Sequence, residues 1–83
     1  MTTLMELAKK AHDLEPIVRV GKNGFTPTTL AEIQKQVFKR RLIKVKMLKA
    51  FADTVSKEDI TKQLSTLKAQ LVRITGNIII LAR

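Results

Sequence analysis

Apolar residues recur every three or four positions in three stretches of the chain, which is the spacing of a helix with one buried face. A residue suited to capping a helix precedes each stretch: Thr3, Thr26 and Ser56. The sequence therefore predicts three helices, the first over about Leu4–Asp13 and the second starting at Pro27. Their apolar positions are Leu4, Leu7, Ala8, Ala11 and Leu14, then Leu30, Ile33 and Val37, and finally Ile60, Leu64 and Leu67.

Four other stretches are short and rich in β-branched residues, which is typical of strands. In the second, Ile43, Val45 and Met47 alternate with Lys44 and Lys46, so the apolar side chains should face the core and the lysines should face outward. The fourth is entirely apolar, as expected for a central strand buried on both faces or for a surface buried in a partner. The predicted strands are Ile17–Val20, Leu42–Leu48, Leu71–Ile74 and Ile78–Leu81.

The predicted elements follow the order αβαβαββ. A strand, a helix and a second strand at this spacing form a βαβ unit, so the first two strands should be parallel, with a right-handed crossover. We therefore expect a two-layer α/β domain with a four-stranded mixed sheet. Lys49–Val55 is predicted to be a connection with a helical turn near Phe51. Phe38 and Phe51 are expected in the core, and Phe25 is expected to pack there rather than stack on a base.

Composition limits the class of protein. The 83 residues suffice for one small domain, which we place at residues 1–83. The chain has no cysteine, which excludes disulfides and fits a reducing compartment. The longest apolar run, Ile78–Ala82, is too short to span a membrane, and the N-terminus lacks the pattern of a signal peptide. We expect a soluble, cytoplasmic protein.

Positive charge is concentrated in one part of the chain. The formal net charge is +9, and nine of the 16 Lys and Arg residues lie between Pro16 and Lys49, where Glu32 is the one acidic residue. A run of charge is often only a solvated face. Here the concentration of cations around one segment favours a surface that binds a polyanion.

That segment is Gly21-Lys22-Asn23-Gly24, which we call the GKNG loop. It lies between the first predicted strand and the capped helix that begins at Pro27. Glycine permits positive φ angles and close approach of another backbone, and a helix start offers N–H groups and a partial positive charge. With a lysine inside the turn, these features favour an oxyanion such as a backbone phosphate. An ordinary turn between a strand and a helix is the alternative interpretation.

Candidate catalytic and metal sites are scarce in this sequence. His12 is the one histidine, and a lone histidine is more often structural than catalytic. Ser56 is already assigned as a helix cap, and Glu58 and Asp59 suit the first turn of a helix. No metal-ligand spacing is present, and Phe25 stands where a P-loop needs its lysine. We therefore expect no enzyme, no catalytic residue, no metal, no cofactor and no small-molecule substrate.

Three blocks of the chain carry a family resemblance: AHDLEPIVRVGKNGFT at residues 11–26, RLIKVK at residues 41–46 and TGNIIILAR at residues 75–83. In this order they resemble the CRM domain, the YhbY-like RNA-binding family. The resemblance implies a small α/β fold like the C-terminal domain of bacterial initiation factor three. It also implies RNA binding through a GxxG loop comparable to that of KH domains. Stand-alone family members are associated with precursors of the large ribosomal subunit, and plant relatives with intron splicing.

We therefore predict a non-enzymatic RNA-binding protein that acts in ribosome assembly on ribosomal RNA or precursors of the large subunit. The predicted contacts combine the GKNG loop with the basic faces of the second helix and second strand. The predicted RNA-binding residues are Gly21, Lys22, Asn23, Gly24, Lys35, Lys39, Arg40, Arg41, Lys44 and Lys46. Arg40 and Arg41 also have a structural explanation, because cations stabilise the C-terminal end of a helix.

Two alternatives to RNA binding stay open at this point. One is a DNA-coating protein of the chromatin type, which would use the same concentration of cations. The other is a protein-interaction module whose apolar last strand, Ile78–Leu81, pairs with a partner. Neither a membrane nor a small molecule is an expected partner, and the sequence does not indicate an oligomeric state.

Overall fold

The structure of the protein is a computed structural model that describes residues 3–83, except for the side chains of residues 4, 7, 8 and 12. Its helices and strands are α1 (Leu4–His12), β1 (Val18–Val20), α2 (Pro27–Arg40), β2 (Leu42–Met47), α3 (Lys49–Ala52), α4 (Lys57–Leu64), β3 (Gln70–Thr75) and β4 (Ile78–Ala82). The predicted apolar positions Leu4, Leu7 and Ala8, and the side chain of His12, lie outside the described part.

The three predicted helix caps are confirmed. In each, a side-chain oxygen accepts a hydrogen bond from the backbone N–H three residues later. The pairs are Thr3 with Glu6 at 3.1 Å, Thr26 with Thr29 at 3.2 Å, and Ser56 with Asp59 at 3.1 Å. The predicted helical turn near Phe51 is the short helix α3. Helix α4 ends at Leu64, so Leu67 lies beyond it, although Leu67 still packs against the core.

The sheet has the strand order β1-β2-β4-β3. Strands β1 and β2 are parallel, whereas β4 is antiparallel to both β2 and β3. The parallel pair confirms the βαβ unit, and β4 is a central strand with a hydrogen-bonded neighbour on each edge. The predicted two-layer α/β fold with a four-stranded mixed sheet is therefore confirmed, with α3 as an additional short helix.

The main core lies between the sheet and the layer formed by α2 and α4. Both helices present their predicted apolar positions to it, and β2 contributes Ile43, Val45 and Met47 while Lys46 stays exposed. The buried residues of this core are Val18, Val20, Ile33, Val37, Ile43, Val45, Met47, Ile60, Leu64, Ile79 and Leu81. Burial of this apolar surface is the main stabilising contribution to the fold.

Helix α1 covers part of the opposite face of the sheet. It lies against β2, β3 and β4, and its Ala11 is fully buried. Ile80 and Ala82 are buried too, and they alternate with Ile79 and Leu81, so their side chains face away from α2 and α4. Strand β4 is therefore buried on both faces, which was one of the two explanations for its apolar sequence.

The three phenylalanines have different environments. Phe25 and Phe51 are half-buried against the core, with ring centroids 5.7 Å apart in an edge-to-face arrangement, as expected. The prediction for Phe38 is wrong, because this side chain is 43% exposed on α2. The helical period places it beside the apolar stripe rather than in it, and the guanidinium of Arg83 lies over its ring at 5.5 Å.

The sheet has two ends that bear on function. β1 and β2 are parallel, so both finish at the end from which the GKNG loop leaves. The turn between β3 and β4 is there too, because the Asn77 carbonyl accepts a hydrogen bond from the Met47 N–H at 2.8 Å. We call this the loop end. The opposite end, which we call the far end, carries the C-terminus of α2, the start of β2 and Arg83.

Within residues 3–83, no helix is long and apolar enough to cross a membrane.

Candidate nucleic-acid interface

The GKNG loop is a tight turn that closes on itself. The Gly24 N–H donates to the Gly21 carbonyl at 3.0 Å, and the Thr26 N–H donates to the Gly24 carbonyl at 3.0 Å. Lys22 and Asn23 form the exposed tip, and their backbone N–H groups make no hydrogen bond within residues 3–83. The tip therefore offers two adjacent amide donors and one ammonium group to solvent.

The two glycines of the loop serve different purposes. Gly24 has a φ of +71° and is buried, and a Cβ atom there would meet the Phe51 ring at 2.7 Å. The fold therefore requires glycine at position 24. Gly21 is exposed, and a Cβ atom there would meet nothing within 4 Å. Neither space nor backbone conformation explains the absence of a side chain at Gly21.

The start of α2 contributes fewer donors than a bare helix end would. Pro27, the first helical residue, has no N–H. The Thr29 N–H donates to Thr26 Oγ1 at 3.2 Å, and the Leu30 N–H donates to the Thr26 carbonyl at 2.9 Å. An anion at this site would therefore be held mainly by the amides of the loop tip, with the helix adding its partial positive charge.

Two further cations lie beside the loop on the face of the sheet that points away from α2. Arg19 of β1 and Lys46 of β2 are register partners on neighbouring strands, and both are exposed. They border a shallow depression of about 370 Å³ next to Gly21, together with the 49% exposed side chain of Leu48. Lys49, the first residue of α3, is also exposed at this end.

The structure does not bring all the predicted RNA-binding residues together. Helix α2 has 14 residues, which at 1.5 Å each separates the two ends by about 20 Å. Gly21, Lys22, Asn23, Gly24 and Lys46 lie at the loop end, Lys39, Arg40 and Arg41 lie at the far end, and Lys35 and Lys44 lie between them. Lys35 is exposed, whereas Lys44 is half-buried in β2 beside Ile80.

At the far end, the guanidinium groups of Arg40 and Arg83 make contacts within the protein. Arg40 Nε donates to Gln36 Oε1 at 3.1 Å. Arg41 ends α2 in the left-handed conformation with a φ of 69°, and its N–H donates to the Val37 carbonyl at 2.8 Å. Arg83 donates its N–H to the Arg41 carbonyl at 2.8 Å and extends over the Phe38 ring. The bond of Arg41 comes from its backbone and not from its guanidinium, so the stabilisation of the helix end by Arg40 and Arg41 stays a prediction.

Sequence reasoning did not select three cations that the structure places in these two groups. Arg19 and Lys49 belong to the loop end, and Arg83 belongs to the far end. Arg19 alternates with the apolar residues Val18 and Val20 in the same way that Lys46 alternates in β2. That alternation was a usable signal for an exposed cation next to the loop.

The sequence pattern of a known family covers almost the whole chain. The CRS1/YhbY (CRM) domain matches residues 2–83. The chain belongs to the CRM domain family. In the described residues of this CRM domain, no group of three or more His, Cys, Asp or Glu side chains is placed to hold a metal ion.

Relatives of the chain carry names that refer to RNA. It is 40% identical over 78 residues to Probable RNA-binding protein MJ0652 of Methanocaldococcus jannaschii, covering 93% of this chain and 58% of the relative. It is 39% identical over 89 residues to an RNA-binding protein of Haemophilus influenzae, covering 100% and 88%. Probable RNA-binding protein YqeI of Bacillus subtilis is 37% identical over 76 residues, covering 90% and 77%.

A solved structure has the same fold. The solution structure of SAV1595 from Staphylococcus aureus, itself a proposed RNA-binding protein, matches this CRM domain with a TM-score of 0.80 at 27% sequence identity. The match covers 100% of this chain and 88% of SAV1595. The α/β architecture is therefore shared with a structure determined in solution.

Proposed function

We propose that this CRM domain binds RNA through the GKNG loop and the cations around it at the loop end. The observation that carries the proposal is the pair of exposed backbone amides at Lys22 and Asn23, which make no hydrogen bond within the part of the chain that the structure describes. They lie next to Gly21, where the fold has room for a side chain but the sequence has none. Bare backbone with unbonded N–H groups suits an oxyanion that approaches closely. The relatives named as RNA-binding proteins support RNA as the polyanion.

The position of Arg19 and Lys46 supports the same surface. Their side chains leave the same face of the sheet from neighbouring strands, which lie about 5 Å apart. Like charges at this separation repel each other. A phosphate between or above them would remove that repulsion, and Lys22 would approach the same phosphate backbone from the loop. Phosphate contacts of this kind position an RNA without reading its sequence.

We further propose that the protein acts without catalysis in ribosome assembly, on ribosomal RNA or on precursors of the large subunit. The support for this is the resemblance to stand-alone CRM proteins that are associated with such precursors. Crosslinking the protein to RNA in cells and sequencing the attached RNA tests it. Large-subunit ribosomal RNA should dominate the crosslinked reads, and its absence from them would overturn the ribosomal assignment.

The two alternatives differ in how well the structure supports them. The protein-interaction hypothesis relied on an available last strand, yet β4 is paired on both edges and buried on both faces. The structure therefore removes the reason for the protein-interaction hypothesis.

The DNA-coating hypothesis uses the same cations as RNA binding. Competition between a structured RNA and a DNA duplex of equal length at one salt concentration separates these two hypotheses. Preferential retention of RNA is expected, and preferential retention of the duplex would favour DNA coating.

A further inference from the structure

A cleft of about 670 Å³ lies between the GKNG loop and α4. We call it the loop cleft. Its inner wall includes Phe25 and Phe51, which are half-buried, and its exposed rim includes Asn23, Asp59, Lys62 and Gln63. The rings offer an apolar surface against which a flat organic group can pack, and the polar rim offers it hydrogen-bonding partners.

We propose that the loop cleft binds an unpaired RNA base, and that this base belongs to a nucleotide whose phosphate contacts the loop tip. The proposal rests on the RNA-binding function proposed above and extends it from the backbone to the bases. Asn23 and Gly24 belong both to the loop and to the cleft, so the two surfaces are continuous. A strand held by its phosphate at the tip would have a base within reach of the cleft.

The rim of the cleft carries both an acid, Asp59, and a cation, Lys62, and its oxygen acceptors suit a base. The carboxylate of Asp59 accepts hydrogen bonds from amino groups. Gln63 can donate and accept, and the Thr66 hydroxyl, which donates to the Gln63 carbonyl at 3.0 Å, retains acceptor capacity. These acceptors favour bases that carry an exocyclic amino group, so cytosine should bind in preference to uracil.

The aromatic wall is unsuitable for a mutational test. Phe51 contacts the Gly24 backbone and packs against the core, so truncating it would disturb the fold together with the cleft. The rim offers a matched pair instead. Asp59 and Glu58 are adjacent exposed acids in the first turn of α4, but of these two only Asp59 lines the cleft. Asp59→Asn and Glu58→Gln each remove one negative charge from the same helix start.

The experiment compares three ten-nucleotide probes of equal charge by fluorescence anisotropy: oligo(C), oligo(U), and a ribose-phosphate chain without bases. Wild-type protein should bind oligo(C) at least about fivefold more tightly than oligo(U), and at least about tenfold more tightly than the abasic chain, as expected for a stacked base. Asp59→Asn should reduce the preference for oligo(C) over oligo(U) to less than about twofold. Glu58→Gln should keep the wild-type preference.

Each failure has its own meaning. Equal binding of all three probes by the wild-type protein would overturn the base site while leaving phosphate binding intact. A preference for oligo(C) that survives unchanged in Asp59→Asn would overturn the assignment to this cleft. Failure to bind any of the three probes, or large-subunit ribosomal RNA, would instead overturn the proposed RNA-binding function.

Discussion

The two ends of α2 both carry several cations but differ in what their polar groups contact. At the far end, the guanidinium of Arg40 donates to Gln36, and the guanidinium of Arg83 lies over the Phe38 ring. At the loop end, the amides of the exposed tip make no hydrogen bond within residues 3–83. The cations themselves are exposed at both ends. The density of Lys and Arg along a chain therefore does not by itself locate an interface. Cations that already serve the fold have less to offer a ligand than those that do not.

The largest effect is expected from a substitution that unfolds the protein and therefore abolishes the structure of both ends. Ile33 is fully buried on α2 between them. Ile33→Asp would place a carboxylate without a partner in the core, at a cost of about 3–5 kcal/mol, which approaches the entire stability of a small domain. The cooperative thermal transition followed by circular dichroism should be lost. Ala31→Asp, at an exposed position of the same helix, is the control and should melt near the wild-type temperature. A wild-type midpoint for Ile33→Asp would show that this face of α2 is not core.

The next largest effect is expected from reversing the charge of the loop tip, with a matched charge change far from the loop as the control. Lys22→Asp combined with Asn23→Asp should weaken RNA binding at least about tenfold, because two carboxylates would meet the phosphates. The thermal midpoint should hardly change, since both side chains are exposed. Lys68→Asp combined with Gln70→Glu makes the same change in net charge at exposed positions near the start of β3, away from the loop end. Wild-type affinity in the folded loop variant would return the loop to an ordinary turn.

The two glycines of the loop should respond in opposite ways to the same substitution. Gly24→Ala should lower the free energy of unfolding by about 1–3 kcal/mol, because its positive φ and the Phe51 ring both oppose a Cβ atom. Gly21→Ala should change stability by less than about 0.5 kcal/mol. It should nevertheless weaken RNA binding several-fold if an RNA backbone approaches there. Chemical denaturation and anisotropy on the same samples give both quantities. Unchanged affinity for Gly21→Ala would show that no ligand comes close to that residue.

Single charge reversals compare the two ends directly. Lys46→Glu lies on the outer face beside the loop, and Lys39→Glu lies in the last turn of α2. Both lysines are exposed, so neither change should unfold the protein. We expect Lys46→Glu to weaken RNA binding about fivefold or more and Lys39→Glu to weaken it less than about twofold. Equal losses would mean that the RNA spans both ends, and a larger loss for Lys39→Glu would reverse the comparison.

The smallest effect concerns the salt dependence of binding. If about five phosphates of a single-stranded RNA are contacted, the slope of log K against log salt concentration should be near −3.5. Lys22→Ala should make that slope shallower by about 0.7, whereas Lys39→Ala should leave it unchanged. Titrations at several salt concentrations measure both values. A wild-type slope shallower than about −1 would indicate that the lysines are only solvated.

Features that depend on neighbours in sequence could be read without a structure. The caps at Thr3, Thr26 and Ser56 form because a side chain meets an N–H three residues away. The inward and outward positions of β2 follow from the two-residue period of an extended chain, and the GKNG turn follows from its two glycines. The parallel pairing of β1 and β2 also followed, because a helix between two strands allows them to run in the same direction.

Features that depend on contacts between distant segments were decided only by the tertiary structure. The strand order is one example, because the sequence pattern of a strand does not specify its neighbours. The different requirements of Gly21 and Gly24 are another, since the ring of Phe51 comes from a helix beyond β2. The register that sets Arg19 beside Lys46 likewise depends on packing of the whole sheet. The sequence therefore led to the hypothesis that the basic loop binds an anion, but the distinction between its two glycines and the cleft beside it required the folded chain.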